Sequence, residues 1–389
     1  MHIDSEPFSL YVHIPYCISK CPYCDFNSHV VAEIPERAYT DALIQELDHY
    51  ANFADWQGRT IQSIFFGGGT PSTFHPGSIG KLLEHVTARW SLLSDCEITL
   101  EANPGTVDRA NFFGYRASGV SRISVGVQSF QPRLLKFLGR VHSADEAKQA
   151  LQVVNDAGFK NFSLDLIYAN PGQSLGDLAA DLETALSFQS PHLSAYNLTI
   201  EEGTPFHHEF RGGRMQLLNE DEEIAMAEFL ERKLDDAGLH RYEISNYARC
   251  GFHSRHNVNY WRGGDYLGIG AGAHSYKKMQ HDGVFGYRWS NEKNPGRYMA
   301  NVAETSNAVV DSEEIDFKKA AGEFMFLGLR ITEGISEEQF RARFRSSPID
   351  FYPQIAHWAE AGLMEQKDGY LRFTQRGLLV ANSIFVQFM

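Results

Sequence analysis

Hydrophobic and polar residues alternate with a period of two in the first half of the chain. The stretches are "LYVHIP" from Leu10, "IQSIFFGGG" from Ile61, "EITLEANP" from Glu97, "RISVGVQS" from Arg122, "NFSLDLIY" from Asn161 and "HLSAYNLT" from His192. In the first, Val12 and Ile14 oppose Tyr11 and His13; in the third, Ile98, Leu100 and Ala102 oppose Thr99, Glu101 and Asn103. In the fourth, Ile123, Val125 and Val127 oppose Ser124, Gly126 and Gln128, and in the fifth Leu164 and Leu166 oppose Ser163 and Asp165. Successive strand side chains point to opposite faces, so each segment has one apolar and one polar face. Stretches of helical periodicity, such as "PERAYTDALIQELDHYA", "SADEAKQALQVVNDAG" and "SLGDLAADLETALSFQ", lie between them. Six strand-then-helix repeats predict parallel strands with helical crossovers. A sheet covered by helices on both faces would read as continuous apolar runs. The alternation instead predicts helices on one face and a polar chamber on the other, as in a curved sheet or partial barrel.

The pattern changes after Glu201. A long amphipathic helix is predicted from about Asn219 to Gly238, followed by an irregular stretch rich in aromatic residues and histidine, "RYEISNYARCGFHSRHNVNYWRGGDYLGIGAGAHSYK". Toward the end, "ISEEQFRARF", "DFYPQIAHWAEAGLM" and "EQKDGYLRFTQRG" read as helix, helix and a hairpin turning at Asp368-Gly369. The expected class is α/β: a partial (β/α)6 barrel over residues 1–205, an α+β extension over 206–310 and a winged-helix-like module over 311–389. The would-be recognition helix from Asp350 to Gly362 has no Lys or Arg, so a packing or lid module is expected rather than a nucleic-acid reader.

Composition narrows the picture modestly. At 389 residues the chain exceeds the size of a single core. With 43% apolar and 22% charged residues it reads as an ordinary soluble protein. No apolar run approaches the roughly 20 residues of a membrane span, and "MHIDSEPFSL" has neither the basic nor the apolar region of a secretory leader. A cytoplasmic location is expected. The net charge of −14 argues against broad phosphate-backbone binding, so no nucleic acid is expected as a partner.

The chemistry is concentrated in "YVHIPYCISKCPYCDFNSH", where Cys17, Cys21 and Cys24 are spaced C-x3-C-x2-C and no fourth cysteine follows closely. A structural zinc site would need a fourth ligand, from His13 or His29. A disulfide would leave one thiol over and conflicts with a reducing compartment. An iron–sulfur cubane normally takes four thiolates, so three would leave one iron open to a small chelating partner.

The cysteine spacing just after a first strand, with Tyr23 before the last cysteine, resembles the radical S-adenosylmethionine superfamily. The resemblance implies a [4Fe-4S] cluster on Cys17, Cys21 and Cys24, whose open iron chelates the amino and carboxylate groups of S-adenosylmethionine. Reductive cleavage of the sulfonium then gives methionine and a 5′-deoxyadenosyl radical. It also implies a partial (β/α)6 barrel. Within "FFGGGTP", Gly68, Gly69 and Thr70 are expected to let bare backbone approach the methionine amino group. Glu101 and Gln128 end strands on the polar face, Arg140 is the implied partner of the ligand carboxylate, and Asp165 the implied ribose-binding acid. Tyr11 and His13 are expected to face the same chamber.

Over nearly its full length the chain resembles the group around oxygen-independent coproporphyrinogen III oxidase, through "YVHIPYC", "GGGTP", "VGVQSF", "DLIY" and the C-terminal module. Phe26 stands where that oxidase has an additional cysteine, and only ten residues precede Tyr11. Both departures resemble the oxidase-like sister family, the HemW heme chaperones, as does "HNVNYW" (His256 to Trp261), which matches its HNxxYW signature. That resemblance implies heme as a ligand and acceptor hemoproteins as partners, respiratory and membrane-associated ones included, with the chain a monomer or a cluster-dependent homodimer. His256 is the expected heme ligand, with His253, His274 and Cys250 as competitors, and Tyr260-Trp261 read as core or chamber wall. The alternatives are the oxidase itself, which decarboxylates two propionates anaerobically, or another radical enzyme acting on a tetrapyrrole.

Overall fold

The computed structural model describes residues 6–281 and 283–389. The first five residues of the leader reading therefore lie outside the described residues. Twelve strands among the described residues form one continuous sheet. The barrel strands are β1 (Phe8–Ile14), β2 (Thr60–Gly68), β3 (Ser91–Ala102), β4 (Arg122–Gln128), β5 (Asn161–Tyr168) and β6 (His192–Asn197). Each is parallel to the next, as the strand–helix repeat predicts. Strand β3 starts six residues earlier than its alternation indicated, at Ser91 instead of Glu97, because Thr60 and Ile61 pair with Ser91 and Leu92.

The register keeps the two faces apart across the sheet. Leu10, Ile64 and Ile98 are neighbours on one face, and Tyr11, Phe65 and Thr99 on the other. The first face packs beneath α1 (Glu36–Ala51), α2 (Pro76–Arg89), α3 (Arg109–Ala117), α4 (Pro132–Phe137), α5 (Ala144–Asp156) and α6 (Leu175–Ser187). Leu47, Leu82, Phe112, Leu151 and Leu182 from these helices join one buried core with Leu10, Ile64, Leu100, Ile123 and Leu164. Burying each such side chain contributes about 1.5–3 kcal/mol. Local signals set the helix starts: Ser143 and Glu146 form a reciprocal capping box on α5.

Beyond the barrel the chain adds strands to both edges of the same sheet. After α7 (Pro205–Arg211) and α8 (Glu220–Asp236), β7 (His240–Arg241) and β8 (Asn246–Ala248) extend the β6 edge. After α9 (Arg255–Trp261), β9 (Tyr266–Ile269) pairs parallel with β1. It is followed outward by the antiparallel β10 (His274–His281), β11 (Val284–Asn291) and β12 (Val309–Asp316), with α10 (Pro295–Thr305) before the last. Leu267, Ile269, Trp289, Tyr298 and Val302 belong to the barrel core. Residues on both sides of Phe206 therefore contribute to that core.

A second core holds Ile315, Met325, Phe340, Phe344, Ile355, Leu371 and Phe385. It lies among α11 (Phe317–Gly328), α12 (Glu337–Phe344), α13 (Pro348–Phe351), α14 (Gln354–Glu360) and a three-stranded sheet of Ile335–Ser336, Met364–Lys367 and Tyr370–Phe373. The hairpin turns at Asp368 and Gly369, both with positive φ (54° and 80°), as a two-residue primed turn requires. The expected helix from Asp350 is broken in two. Tyr352, directly before Pro353, sits at φ −124°, ψ 80°, because the proline ring excludes the helical conformation there. No helix among the described residues is long and apolar enough to cross a membrane.

Candidate functional site

The cysteine loop leaves the end of β1 and folds over the mouth of the polar chamber. Cys17 closes a two-residue strand, Tyr16–Cys17, paired with His29–Val30, so both ends of the loop are tied together. Inside it, the Lys20 ammonium donates to the Phe26 carbonyl (3.1 Å), and the Cys24 N–H to the Cys21 carbonyl (3.1 Å). Cys17, Cys21 and Cys24 are half-buried free thiols, which removes the disulfide alternative. Burial pushes the Cys17 and Cys24 thiols up, so they remain protonated until a metal displaces the protons.

The three thiols line one cavity of about 150 Å³ with Tyr23, Gly68, Gly69, Thr70, Glu101, Gln128, Arg140 and Asp165. No group of three His, Cys, Asp or Glu side chains among the described residues is arranged around a single ion. The two histidines considered for a fourth zinc ligand are hydrogen-bonded within the protein. His13 Nε2–H donates to the Asn27 carbonyl (2.9 Å) and Nδ1 accepts from the Tyr11 hydroxyl (3.0 Å), while His29 Nε2 is held by Asn27 Oδ1 (3.1 Å). Thiols ringing a space suit a cluster that fills that space.

The glycines of "GGGTP" are there for close approach. At Gly68 (φ 114°) a Cβ would lie 2.6 Å from the His13 ring, and at Gly69 2.7 Å from the Tyr16 carbonyl oxygen. Their N–H groups already donate within the protein: Gly68 to Glu101 Oε2 (3.3 Å), Gly69 to Ile14 O (2.8 Å) and Thr70 to Tyr16 O (2.8 Å). The Thr70 hydroxyl points at Cys17 Sγ (3.4 Å).

Arg140 is tied to the thiol loop. Its Nη1 donates toward Cys21 Sγ (3.3 Å) and the Tyr23 hydroxyl (3.4 Å), and its Nη2 to Asn103 Oδ1 (2.6 Å) and the Gly126 carbonyl (2.9 Å). Its buried Nε has no hydrogen-bond partner among the described residues. An orphaned guanidinium donor in the wall of a cavity suits a ligand acceptor that would complete it. Asn103, which sequence reasoning passed over, links Arg140 to the Thr70 hydroxyl (2.8 Å). Its signal was its place two residues after Glu101 on the polar face.

Glu101 and Asp165 form the acidic side. Burial, then the neighbouring Asp165, pushes the Glu101 carboxyl up to about 8. Asp165 is also raised by burial, against the pull of the Ser124 hydroxyl (3.2 Å) and its neighbours. A β-bulge between Val125 and Gln128 puts Gln128 at φ 69°, in the wall of the same cavity.

Two expected site residues lie elsewhere. Tyr11 lines a second, larger cavity of about 1460 Å³ between the inner face of the sheet and the C-terminal module. Phe26, Gly68 and Glu101 line both cavities, so the two adjoin. His256 lines neither. It is 1% exposed, and its ring is wedged between β2 and α9. The Ser63 hydroxyl donates to Ser9 Oγ (2.8 Å), so His256 Nδ1–H donates to Ser63 (3.0 Å) and Nε2 accepts from the Tyr260 hydroxyl (2.9 Å). Burial, then Arg122, lowers it to about 3, so the ring is neutral with both nitrogens engaged. In this structure the ring that was the expected heme ligand fastens α9 to β2, and α9 presents Tyr260 and Trp261 to the larger cavity.

Residues 11–185 match the radical SAM superfamily and residues 316–380 the HemN C-terminal domain. The chain is 40% identical to the heme chaperone HemW of Escherichia coli (strain K12), covering 100% of this chain and 99% of that protein. It is 34% identical to the heme chaperone HemW of Bacillus subtilis (strain 168), covering 98% and 99% respectively. The structure of coproporphyrinogen III oxidase (HemN) from Escherichia coli, a radical SAM enzyme, matches with a TM-score of 0.82 at 23% identity over 99% of this chain and 90% of that one, a likeness of fold. With this fold, this thiol-lined mouth and such identity along its whole length, the chain belongs to the family of the heme chaperone HemW.

Proposed function

We propose that this protein is a heme chaperone, which binds heme and passes it to acceptor hemoproteins, respiratory ones among them. It would carry a [4Fe-4S] cluster on Cys17, Cys21 and Cys24 with S-adenosylmethionine beside it. The observation that carries this reading is the adjoining pair of cavities, one ringed by three thiols and the other walled by aromatic side chains, in a chain of this family. Arg140, through its unpartnered Nε, would take the carboxylate of S-adenosylmethionine. Glu101 and Asp165 would face its amino and ribose groups, and the Gly68–Thr70 backbone, whose N–H groups are engaged, would offer oxygens to the ammonium. Together, cluster and ligand would supply one-electron reductive chemistry.

The test is anaerobic and uses full-length protein reconstituted with iron and sulfide and given S-adenosylmethionine and a reductant. One aliquot receives heme and another coproporphyrinogen III. Heme bound at about one per chain with no decarboxylated product is the expected result. Decarboxylated product would make the protein an oxidase, and failure to bind heme at micromolar concentration would end the chaperone reading.

A further inference from the structure

A heme carrier needs apolar walls for a flat macrocycle, a donor atom for the iron and cations for two carboxylates. The larger cavity is walled by Tyr260, Trp261, Tyr266, Tyr276, Phe324 and Phe326, brought together from α9, β9, β10 and α11. At about 1460 Å³ it exceeds the roughly 300–1,000 Å³ of ordinary small-ligand sites. The cations Lys293 and Lys318 also line it and form no ion pair among the described residues. The buried Trp261 Nε1–H has no acceptor there either. The buried indole donor lacks a partner, and the two exposed ammonium groups add positive charge that suits an anionic, aromatic guest.

Among the described residues, two histidines reach this cavity, His13 and His274. Both nitrogens of His13 are engaged, by Tyr11 and Asn27. His274 opens β10 opposite Ser290, with its ring exposed on the cavity side and no hydrogen bond to another described residue. Burial, then the nearby Lys293 and Arg288, lowers its pKa against Asp311, so its imidazole is neutral at pH 7 and keeps a lone pair. His253 stacks on Tyr242 instead (centroids 4.2 Å apart, 10° between planes), and neither it nor Cys250 lines the cavity.

We propose that heme is held in the cavity between the inner sheet face and the C-terminal module, with His274 as its axial iron ligand and Lys293 and Lys318 facing its carboxylates. This rests on the heme-chaperone reading. It gives the "HNVNYW" segment a divided role, in which His256 positions α9 while Tyr260 and Trp261 touch the cargo.

The experiment titrates full-length protein with hemin and records the Soret band and electron paramagnetic resonance for the wild type, His274→Ala and His256→Ala. His274→Ala is expected to bind heme at least tenfold more weakly and to lose the imidazole signature, and millimolar imidazole should restore that signature. His256→Ala, folded by circular dichroism, should keep the imidazole signature of the iron. His274→Cys, which keeps a donor at that place, should shift the spectrum to thiolate character and covers a failure of the alanine variant to fold. A wild-type spectrum in both His274 variants would overturn the assignment and leave the chaperone reading standing. So would loss of the imidazole signature in folded His256→Ala with rescue by imidazole. Absence of heme binding by the wild type would overturn both.

Discussion

The two adjoining cavities are built in different ways. The smaller is assembled from the C-terminal ends of neighbouring parallel strands and the cysteine loop, all within residues 17–165. The larger draws its walls from β1, α9, the β9–β11 extension and the C-terminal module, spanning residues 11–389. One is a polar mouth shaped by a repeating strand–helix unit; the other is a gap between two cores. A site at the strand ends inherits its geometry from the sheet. A site between cores depends on how two separately packed bodies meet.

If the cavities have separate occupants, replacing Cys17, Cys21 and Cys24 by Ala should remove the reconstituted cluster entirely while the heme titration in the larger cavity persists. Iron and sulfide analysis beside the Soret titration measures both. Stoichiometric iron and sulfide in the triple variant would break the comparison at its base. Arg140→Ala should weaken S-adenosylmethionine binding about 10- to 150-fold, the equivalent of about 1.5–3 kcal/mol for hydrogen bonds to a charged group. Calorimetry on cluster-loaded protein reads this, and an unchanged affinity would mean that the orphaned Nε waits for something else.

Glu101 sharpens the comparison through pH. In the folded protein its carboxyl holds a proton up to about 8, whereas an unfolded chain releases it near 4.5. The ligand-free fold therefore loses stability as pH rises through that window. A cationic ligand needs the carboxylate, so affinity for S-adenosylmethionine should climb with pH by up to about tenfold per unit and level off near 8. Glu101→Gln should flatten the part of that slope due to Glu101; a slope unchanged from wild type would remove Glu101 from the contact. The smallest effect is expected at His256. His256→Ala leaves Ser63 and Tyr260 short of a partner and should cost about 1–3 kcal/mol of stability, read by denaturant unfolding, with the imidazole signature of the iron kept.

The smaller cavity was legible in the sequence almost residue by residue. Glu101 and Asp165 could be placed by alternation alone, because a strand side chain's face depends only on its parity along the chain. Arg140 could be assigned only by family likeness, since nothing local separates it from a surface arginine until Asn103, Gly126 and the thiol loop close around it. His256 shows the limit from the other side. Its motif was conspicuous, yet whether its ring met a ligand or a serine depended on Ser63, 193 residues away.

The sequence by itself determined the six-strand repeat, its apolar and polar faces, the three-thiol loop and the hairpin turn at Asp368-Gly369. Each follows from periods of two or 3.6 residues, or from the backbone demands of a few adjacent residues. The tertiary structure alone decided that β9 to β12 continue the barrel's sheet past β1, that His274 and not His256 faces the larger cavity, and that Phe26 stands at the wall shared by both cavities. Those outcomes rest on contacts such as Asn27 with Ala271, 244 residues apart. Local pattern constrains the direction of a side chain but not its distant neighbour.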